Sequence, residues 1–270
     1  MILQFPLKRF LALVVVVLFI ISCAKVPISG RRQLHLLPDQ EMNALALTEY
    51  KSFLGTNKLS KDAINSAMVK RVGARISTAV TMYLKEHDYA SRVKGYVWEY
   101  NLVEDKTINA WCMPGGKVVV YTGLLPVTQN ETALAVVMGH EIAHAIARHG
   151  NERMSQSLAI YLGGAAINVA TATRSDTTRM LFNTAYGVSS QLGALAFSRN
   201  QESEADKLGL VFMSMAGYDP HEATTFWTRM STMSSGGATP FFLSTHPTDA
   251  KRIKDIQAFM PEAMKYFVKK

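Results

Sequence analysis

The stretch His140-Glu141-Ile142-Ala143-His144 decides the fold of this 270-residue chain. On an α-helix, residues four apart share one face, so His140 and His144 can present two imidazole nitrogens to one metal ion. Glu141 lies about 100° further round the helix, beside the open position of that metal. Zinc held by three protein ligands keeps such a position and lowers the pKa of water there to about 7. The stretch therefore predicts a catalytic zinc site with Glu141 as general base.

The flanking residues indicate that this stretch lies in the middle of a helix. Thr128-Gln129-Asn130-Glu131 has the pattern of a capping box, and apolar residues then recur at helical spacing. Gly150 is predicted to end the helix. His149, five residues after His144, is expected to face away from the metal as a helix-end histidine favoured by the helix dipole.

The two histidines require a third protein ligand from elsewhere in the chain. A second predicted helix, residues 200–216, carries Glu202 and Asp206 four residues apart on one face. Its small residues Ala205 and Gly209 would allow a close helix crossing. Glu202 can complete a two-His, one-Glu site, and Asp206 can orient a ligand histidine through its outer nitrogen. The predicted cofactor is one Zn²⁺ per chain.

Three further stretches accompany the two helices. They are residues 26–34 (VPISGRRQL), residues 109–125 (NAWCMPGGKVVVYTGLL) and Ser244-Thr245-His246-Pro247 followed by Arg252. Together with HExxH and the distal ExxxD from Glu202 to Asp206, they resemble the zinc metallopeptidase family that contains the CAAX prenyl protease, the HtpX heat-shock protease, the mitochondrial Oma-type protease and the periplasmic beta-barrel assembly-enhancing protease. The bacterial periplasmic lipoprotein members are the most similar in pattern.

This resemblance implies an α+β, mainly helical fold, with a two-helix HExxH plus Glu core and a small β-sheet bordering the active-site cleft. It also brings His246 and Arg252 to the active site as catalytic residues, either of which could donate a hydrogen bond to the oxyanion. Two further roles stay open for His246, as a positioning group or as a zinc ligand that inhibits the resting enzyme. The implied activity is endoproteolysis of unfolded or misassembled cell-envelope proteins.

Strand signals lie upstream of the zinc motif. Alternation predicts a strand at residues 97–103, and two more strands flank the Pro114-Gly115-Gly116 turn. The strand that contains Asn109, Ala110 and Trp111 is expected to bind substrate, because an exposed strand edge can pair with an extended peptide backbone. Because such pairing uses the substrate backbone, it depends little on the side chains of the substrate. We therefore expect cleavage of many different unfolded segments.

Other helical segments are predicted before and between the zinc motifs. Asp39 is expected to cap a helix through Phe53, and Ser60 a longer one to about Glu86. Residues 155–198 are rich in small residues and predict two amphipathic helices. Our hypothesis is that this insertion forms a lid that moves to admit substrate.

The N-terminus has the pattern of a bacterial lipoprotein. Basic residues precede an apolar run from Phe10 to Ile21, which is too short to span a bilayer, and Ser22-Cys23 follows. We therefore predict a signal peptide at 1–22, a lipidated tether at 23–38 that begins with acylated Cys23, and a single zinc metallopeptidase domain at 39–270. An uncleaved N-terminal membrane anchor stays open as the alternative. The expected location is the bacterial cell envelope, lipid-anchored at the periplasmic face of the outer membrane.

Charge and cysteine content limit the classes of partner that this chain is expected to bind. The chain has 29 Lys plus Arg against 21 Asp plus Glu, but the basic residues are scattered and no nucleic-acid motif accompanies them. Cys112 is the only other cysteine, so a disulfide within the mature domain is not expected. The predicted partners are polypeptide substrates and a membrane reached through the lipid. Two alternatives stay open: a non-catalytic or chaperone-like lipoprotein that binds unfolded outer-membrane proteins, and a structural zinc protein with His246 as fourth ligand.

Overall fold

The computed structural model describes residues 23–165, 176, 178, 180, 198–235, 240–246 and 250–268. In chain order its elements are β1 (Cys23–Lys25), β2 (Arg32–Leu34), α1 (Asp39–Thr56), α2 (Ala63–Glu86), a 3-10 turn (Ala90–Val93), β3 (Glu99–Val103), β4 (Ala110–Met113), β5 (Lys117–Tyr121), a second 3-10 turn (Thr122–Leu124), α3 (Leu125–Thr128), α4 (Glu131–Ala147), α5 (His149–Ala165), α6 (Arg199–Met215), α7 (Glu222–Ser235), α8 (Phe241–Thr245) and α9 (Ala250–Met264). The fold is mainly helical with a small mixed sheet, which confirms the predicted α+β class. None of the helices in these ranges combines the length and apolar character needed to cross a bilayer.

The N-terminal capping residues of α2 and α4 differ from the predicted ones. Asp62, rather than Ser60, caps α2 by accepting a hydrogen bond from the backbone of Asn65 at 3.0 Å. Asn130 caps α4 by accepting from the backbone of Ala133 at 2.8 Å, so the capping box predicted at Thr128 is wrong. Thr128 is instead the last residue of α3, a short helix with a proline in its first turn.

The end of α4 also differs from the prediction, with a larger consequence. Arg148 adopts a left-handed conformation with φ 61° and ends the helix, whereas Gly150, the predicted stop, lies inside α5. A single left-handed residue reverses the direction of the chain at a helix C-terminus. Helix α5 therefore starts at once and carries His149 back toward α4.

The sheet has the strand order β3-β5-β4 within the described residues. Strand β5 pairs parallel with β3 and antiparallel with β4, and all five of its residues are buried. Val118 and Val120 face the main core with α2 and α4, while Val119 and Tyr121 face a smaller core with α1. Strand β4 lies at one edge of the sheet and packs against α4. This arrangement places the sheet beside the zinc motif, as predicted.

Helix α4 runs through the middle of the molecule and is buried from Ala133 to Ala147. It packs against α2, α6, α7 and β4. Its contact with α6 is made by backbone, because a Cβ at Gly209 would lie 2.9 Å from the His140 nitrogen and a Cβ at Gly139 would lie 3.0 Å from the Gly209 oxygen. Distances this short leave no room for a side chain. The close helix crossing expected from the small residues of α6 is present.

The N-terminal strands form an antiparallel hairpin, β1–β2, that lies against the helices. Val26, Gln33 and Leu37 are buried. The buried Arg92 donates a hydrogen bond to the Lys25 carbonyl and another, at 2.9 Å, to the Ile146 carbonyl near the end of α4. Residues 23–38 thus pack onto the domain, and the predicted domain boundaries stay predictions. The lid hypothesis for residues 155–198 falls mainly outside the described residues.

Candidate metal centre

Four buried side chains from three parts of the chain converge on one point. His140 Nε2 lies 3.0 Å from His144 Nε2 and 3.1 Å from His246 Nδ1. Glu202 Oε1 lies 3.3 Å from His144 Nε2 and 3.0 Å from His246 Nδ1. The four ligand atoms all lie within 4.8 Å of one another. Tetrahedral zinc with bonds of about 2.0–2.1 Å spaces its ligand atoms by roughly 3.3 Å, so this group fits one zinc ion.

The protonation states of His144 and Glu202 suit a metal. Burial lowers the pKa of His144 well below its usual value. Burial raises the pKa of Glu202, but the interaction with His246 and the hydrogen bonds with His140 and His144 outweigh burial and hold it well below the usual range. The imidazole is thus neutral and the carboxylate ionised, which are the forms that bind zinc.

Asp206 and Arg252 contact His140 and Glu202 on the side away from the point where the four side chains converge. Asp206 Oδ1 lies 3.0 Å from His140 Nδ1, the outer nitrogen. Arg252 donates to both Asp206 oxygens at 2.7 and 2.8 Å, and its Nη1 lies 3.0 Å from Glu202 Oε2. Its guanidinium carbon lies 3.5 Å from the centroid of the Trp227 ring. Arg252 therefore holds the two carboxylates of α6 in place against His140.

The acidic surroundings of His140 favour a cation at this centre. Burial lowers the pKa of His140, but the hydrogen bonds with Asp206 and Glu202 outweigh burial and raise it to about 9. Without a metal, a proton thus occupies this site readily. Zinc bound at Nε2 of His140 would take the place of that proton, with Glu202 among its ligands and Asp206 holding the outer nitrogen of His140.

Glu141 faces the same region from α4. Its side chain is buried, and Oε1 lies 3.4 Å from His246 Nε2 without a hydrogen-bond partner among the described residues. Burial raises the pKa of Glu141, while His246 and His140 act in the opposite direction. A buried acceptor of this kind is costly and is often functional. The Glu141 carboxylate thus lies beside the four-residue cluster, with Oε1 able to accept a hydrogen bond.

His149 contradicts its predicted position. It is fully buried, with Nδ1 2.8 Å from His144 Nδ1 and Nε2 2.9 Å from Glu204 Oε2. Helical spacing from His144 does not apply to it, because α4 ends at Arg148 and the chain reverses there. Glu204 was likewise missed, since a helix turns it about 200° away from Glu202. The sequence did offer two signals for this contact: Glu204 lies close to Glu202, and His149 follows HExxH by five residues.

The predicted substrate-binding residues lie at the start of the edge strand β4. Ala110 is buried, and the Trp111 ring packs edge-on against Phe53 with centroids 5.1 Å apart. The backbone of Phe242 donates to the Ile108 carbonyl at 3.1 Å, which joins α8, the helix before His246, to the residues next to Asn109. The strand edge and the metal ligands are thus close neighbours.

Cys112 faces inward, and burial raises its pKa well above the usual value, as expected for a core residue.

The family model and the similar proteins all point to a peptidase. The profile of peptidase family M48 matches residues 69–260. The chain is 34% identical over 246 residues to the mitochondrial metalloendopeptidase OMA1 of Schizosaccharomyces pombe, covering 88% of this chain and 66% of that protein. It is 37% identical over 170 residues to OMA1 of Arabidopsis thaliana, covering 63% and 33%. The beta-barrel assembly-enhancing protease of Escherichia coli is 27% identical over 205 residues, covering 74% and 40%. The chain spans between a third and two thirds of the length of these relatives.

These relatives correct the predicted location. The relatives at 34% and 37% identity are mitochondrial endopeptidases, not bacterial envelope lipoproteins, so the prediction of a lipid-anchored protein at the bacterial outer membrane is wrong. The pattern that suggested it is only a few residues long. Residues 1–22 and the side chain of Cys23 lie outside those described, so acylation of Cys23 is untested.

Proposed function

Because the chain belongs to peptidase family M48, whose members use zinc, we propose that it is an endopeptidase acting on unfolded or misassembled polypeptides. Its metal ligands are His140, His144 and Glu202. The observation that carries the proposal is that the ligand atoms of these three residues and His246 lie within 4.8 Å of one another, although they come from segments distant in sequence.

The mechanism follows from the positions of the surrounding residues. A zinc ion held by His140, His144 and Glu202 would supply a Lewis acid and would lower the pKa of water bound to it to about 7. Glu141, whose raised pKa suits proton transfer, takes the proton of the attacking water and returns it to the leaving amide nitrogen. Asp206 keeps a proton on the outer nitrogen of His140, and Arg252 fixes both carboxylates. Arg252 thereby acts as a positioning residue.

Substrate is held at the edge strand. We assign backbone pairing with an extended polypeptide to Asn109, Ala110 and Trp111, because β4 is an edge strand next to the segment that carries His246. Unfolded segments can adopt this extended form, whereas folded domains cannot. A chaperone-like binding protein would use the same edge, but it would not need a buried base at Glu141.

Metal removal tests this function. We expect dialysis against a chelator to abolish cleavage of a reduced, unfolded protein substrate, and one equivalent of Zn²⁺ per chain to restore it, since the ligand group fits one ion. Metal content and the initial rate of cleavage are measured together. Addition of Mg²⁺ is the control, because magnesium requires octahedral oxygen ligands and should restore nothing. Full activity of the metal-free chain would refute the proposal.

We further propose that His246 occupies the fourth ligand position in a resting enzyme. Its Nδ1 lies as close to His140 Nε2 and Glu202 Oε1 as the other ligands lie to one another. His246→Ala is then expected to raise the cleavage rate about tenfold, if ligation stabilises the resting state by about 1.4 kcal/mol. His221→Ala, at an exposed histidine, is the matched control. A fall in rate would contradict this proposal and leave His246 as an oxyanion donor or a positioning group.

A further inference from the structure

The two ligand histidines of α4 are supported in different ways. The outer nitrogen of His140 contacts a carboxylate directly, at 3.0 Å from Asp206. The outer nitrogen of His144 contacts another imidazole, at 2.8 Å between the Nδ1 atoms of His144 and His149. Metal-ligating histidines usually donate this outer N–H to an acceptor, which fixes their orientation. The acceptor next to His144 is thus another histidine, His149, which can accept only if its Nδ1 carries no proton.

Counting protons shows which form that is. When His144 binds metal through Nε2, its Nδ1 carries the proton and donates it. His149 Nδ1 must therefore be an acceptor without a proton, so His149 is neutral and protonated at Nε2. That N–H donates to Glu204 Oε2 at 2.9 Å. The direction of each hydrogen bond from the metal to Glu204 is determined in this way.

Glu204 is in turn held by the N-terminal hairpin. Arg31 Nε donates to Glu204 Oε2 at 2.9 Å, and Arg31 Nη1 donates to Glu152 at 2.6 Å. The Ser29 hydroxyl also donates to Glu204. The two carboxylates are almost completely buried, so they repel each other unless a cation lies between them. Arg31 is that cation and fixes the acceptor oxygen of Glu204.

We propose that His149 is a positioning residue for the metal ligand His144, and that Glu204 and Arg31 fix the tautomer and orientation in which it acts. The inference rests on the proposed zinc function of the site. It gives the hairpin before α1, which lies far from the zinc motif in sequence, an indirect role in metal affinity. The connection runs from Arg31 through Glu204 and His149 to His144, each step a hydrogen bond between side chains.

The test is the zinc affinity of full-length variants, measured by competition with a chromophoric chelator. His149→Phe keeps the ring volume but removes the acceptor, so we expect zinc binding to weaken about 10- to 100-fold. His149→Asn, whose side-chain oxygen can accept from His144, should recover part of this loss. Arg31→Met should weaken zinc binding less than His149→Phe does, and Arg31→Lys should recover affinity. Arg71→Met, at an exposed arginine paired with Glu131, is the control.

The unfolding temperature of each zinc-free variant and the absorption spectrum of its Co²⁺ form separate positioning from simple loss of fold. A positioning role predicts a changed Co²⁺ spectrum for His149→Phe in a chain that still unfolds cooperatively. Equal zinc affinity of His149→Phe and wild type would overturn the inference, as would equal losses in the Phe and Asn variants. A wild-type chain that binds no zinc would overturn the proposed function first, and this inference with it.

Discussion

Glu141→Gln is expected to lower the rate of cleavage of an unfolded polypeptide by about 10²- to 10⁴-fold while the zinc content stays at one ion per chain. Glutamine has nearly the same shape but cannot accept the proton of the attacking water. Glu141 is not among the four converging side chains, so all of the proposed zinc ligands remain in the variant. Initial rates and metal content of the purified variant provide the measurement.

Glu262→Gln is the control for this experiment, because Glu262 is an exposed carboxylate on α9 that pairs with Lys265. It should cleave at the wild-type rate. Equal rates for Glu141→Gln and wild type would contradict the enzyme proposal. A chaperone-like binding protein or a structural zinc protein would then explain the site better, since neither requires a base.

Glu202→Gln is expected to lose both zinc and activity. The amide is a far weaker ligand than a carboxylate, and the change also leaves Arg252 next to a neutral group, 3.0 Å from the atom that was Glu202 Oε2. We expect zinc affinity to fall roughly 100-fold or more, since even residues that only support a ligand contribute about 10- to 100-fold. Zinc per chain after gel filtration, together with the cleavage rate at saturating zinc, measures the effect.

The two substitutions therefore give different results, which assigns the two roles separately. Glu141→Gln retains zinc and loses rate, whereas Glu202→Gln loses zinc first. Retention of stoichiometric, tight zinc by Glu202→Gln would show that His246 or another group is the third ligand. Glu262→Gln again serves as the control for changing one carboxylate to an amide.

The parts of the site that follow from local periodicity could be predicted from sequence. Residues four apart on one helix, such as His140 and His144 or Glu202 and Asp206, share a face in any fold. Helix α6 begins within a residue of its predicted start, because Ser198 and Gln201 form a capping box. The proximity of His246 and Arg252 could not be derived in this way and depended on family resemblance.

The parts that depend on one backbone torsion could not be predicted. His149 was placed on the wrong side because helical spacing was extended past Arg148, where the chain turns left-handed. Nothing in the local sequence marks arginine for that conformation, which is commoner for glycine or asparagine. Glu204 and the hairpin residue Arg31 acquire their roles only once His149 is in place, so they were missed together.

The backbone contact at Gly139 and Gly209 has a consequence for protein engineering. Since main chain meets main chain there, the spacing of the two helices that carry the imidazoles and Glu202 is set by the backbone more than by the surrounding aliphatic side chains. Exchanging those residues would change melting temperature well before it changed the coordination sphere. Heat tolerance and the choice of catalytic ion can accordingly be optimised in separate rounds of design.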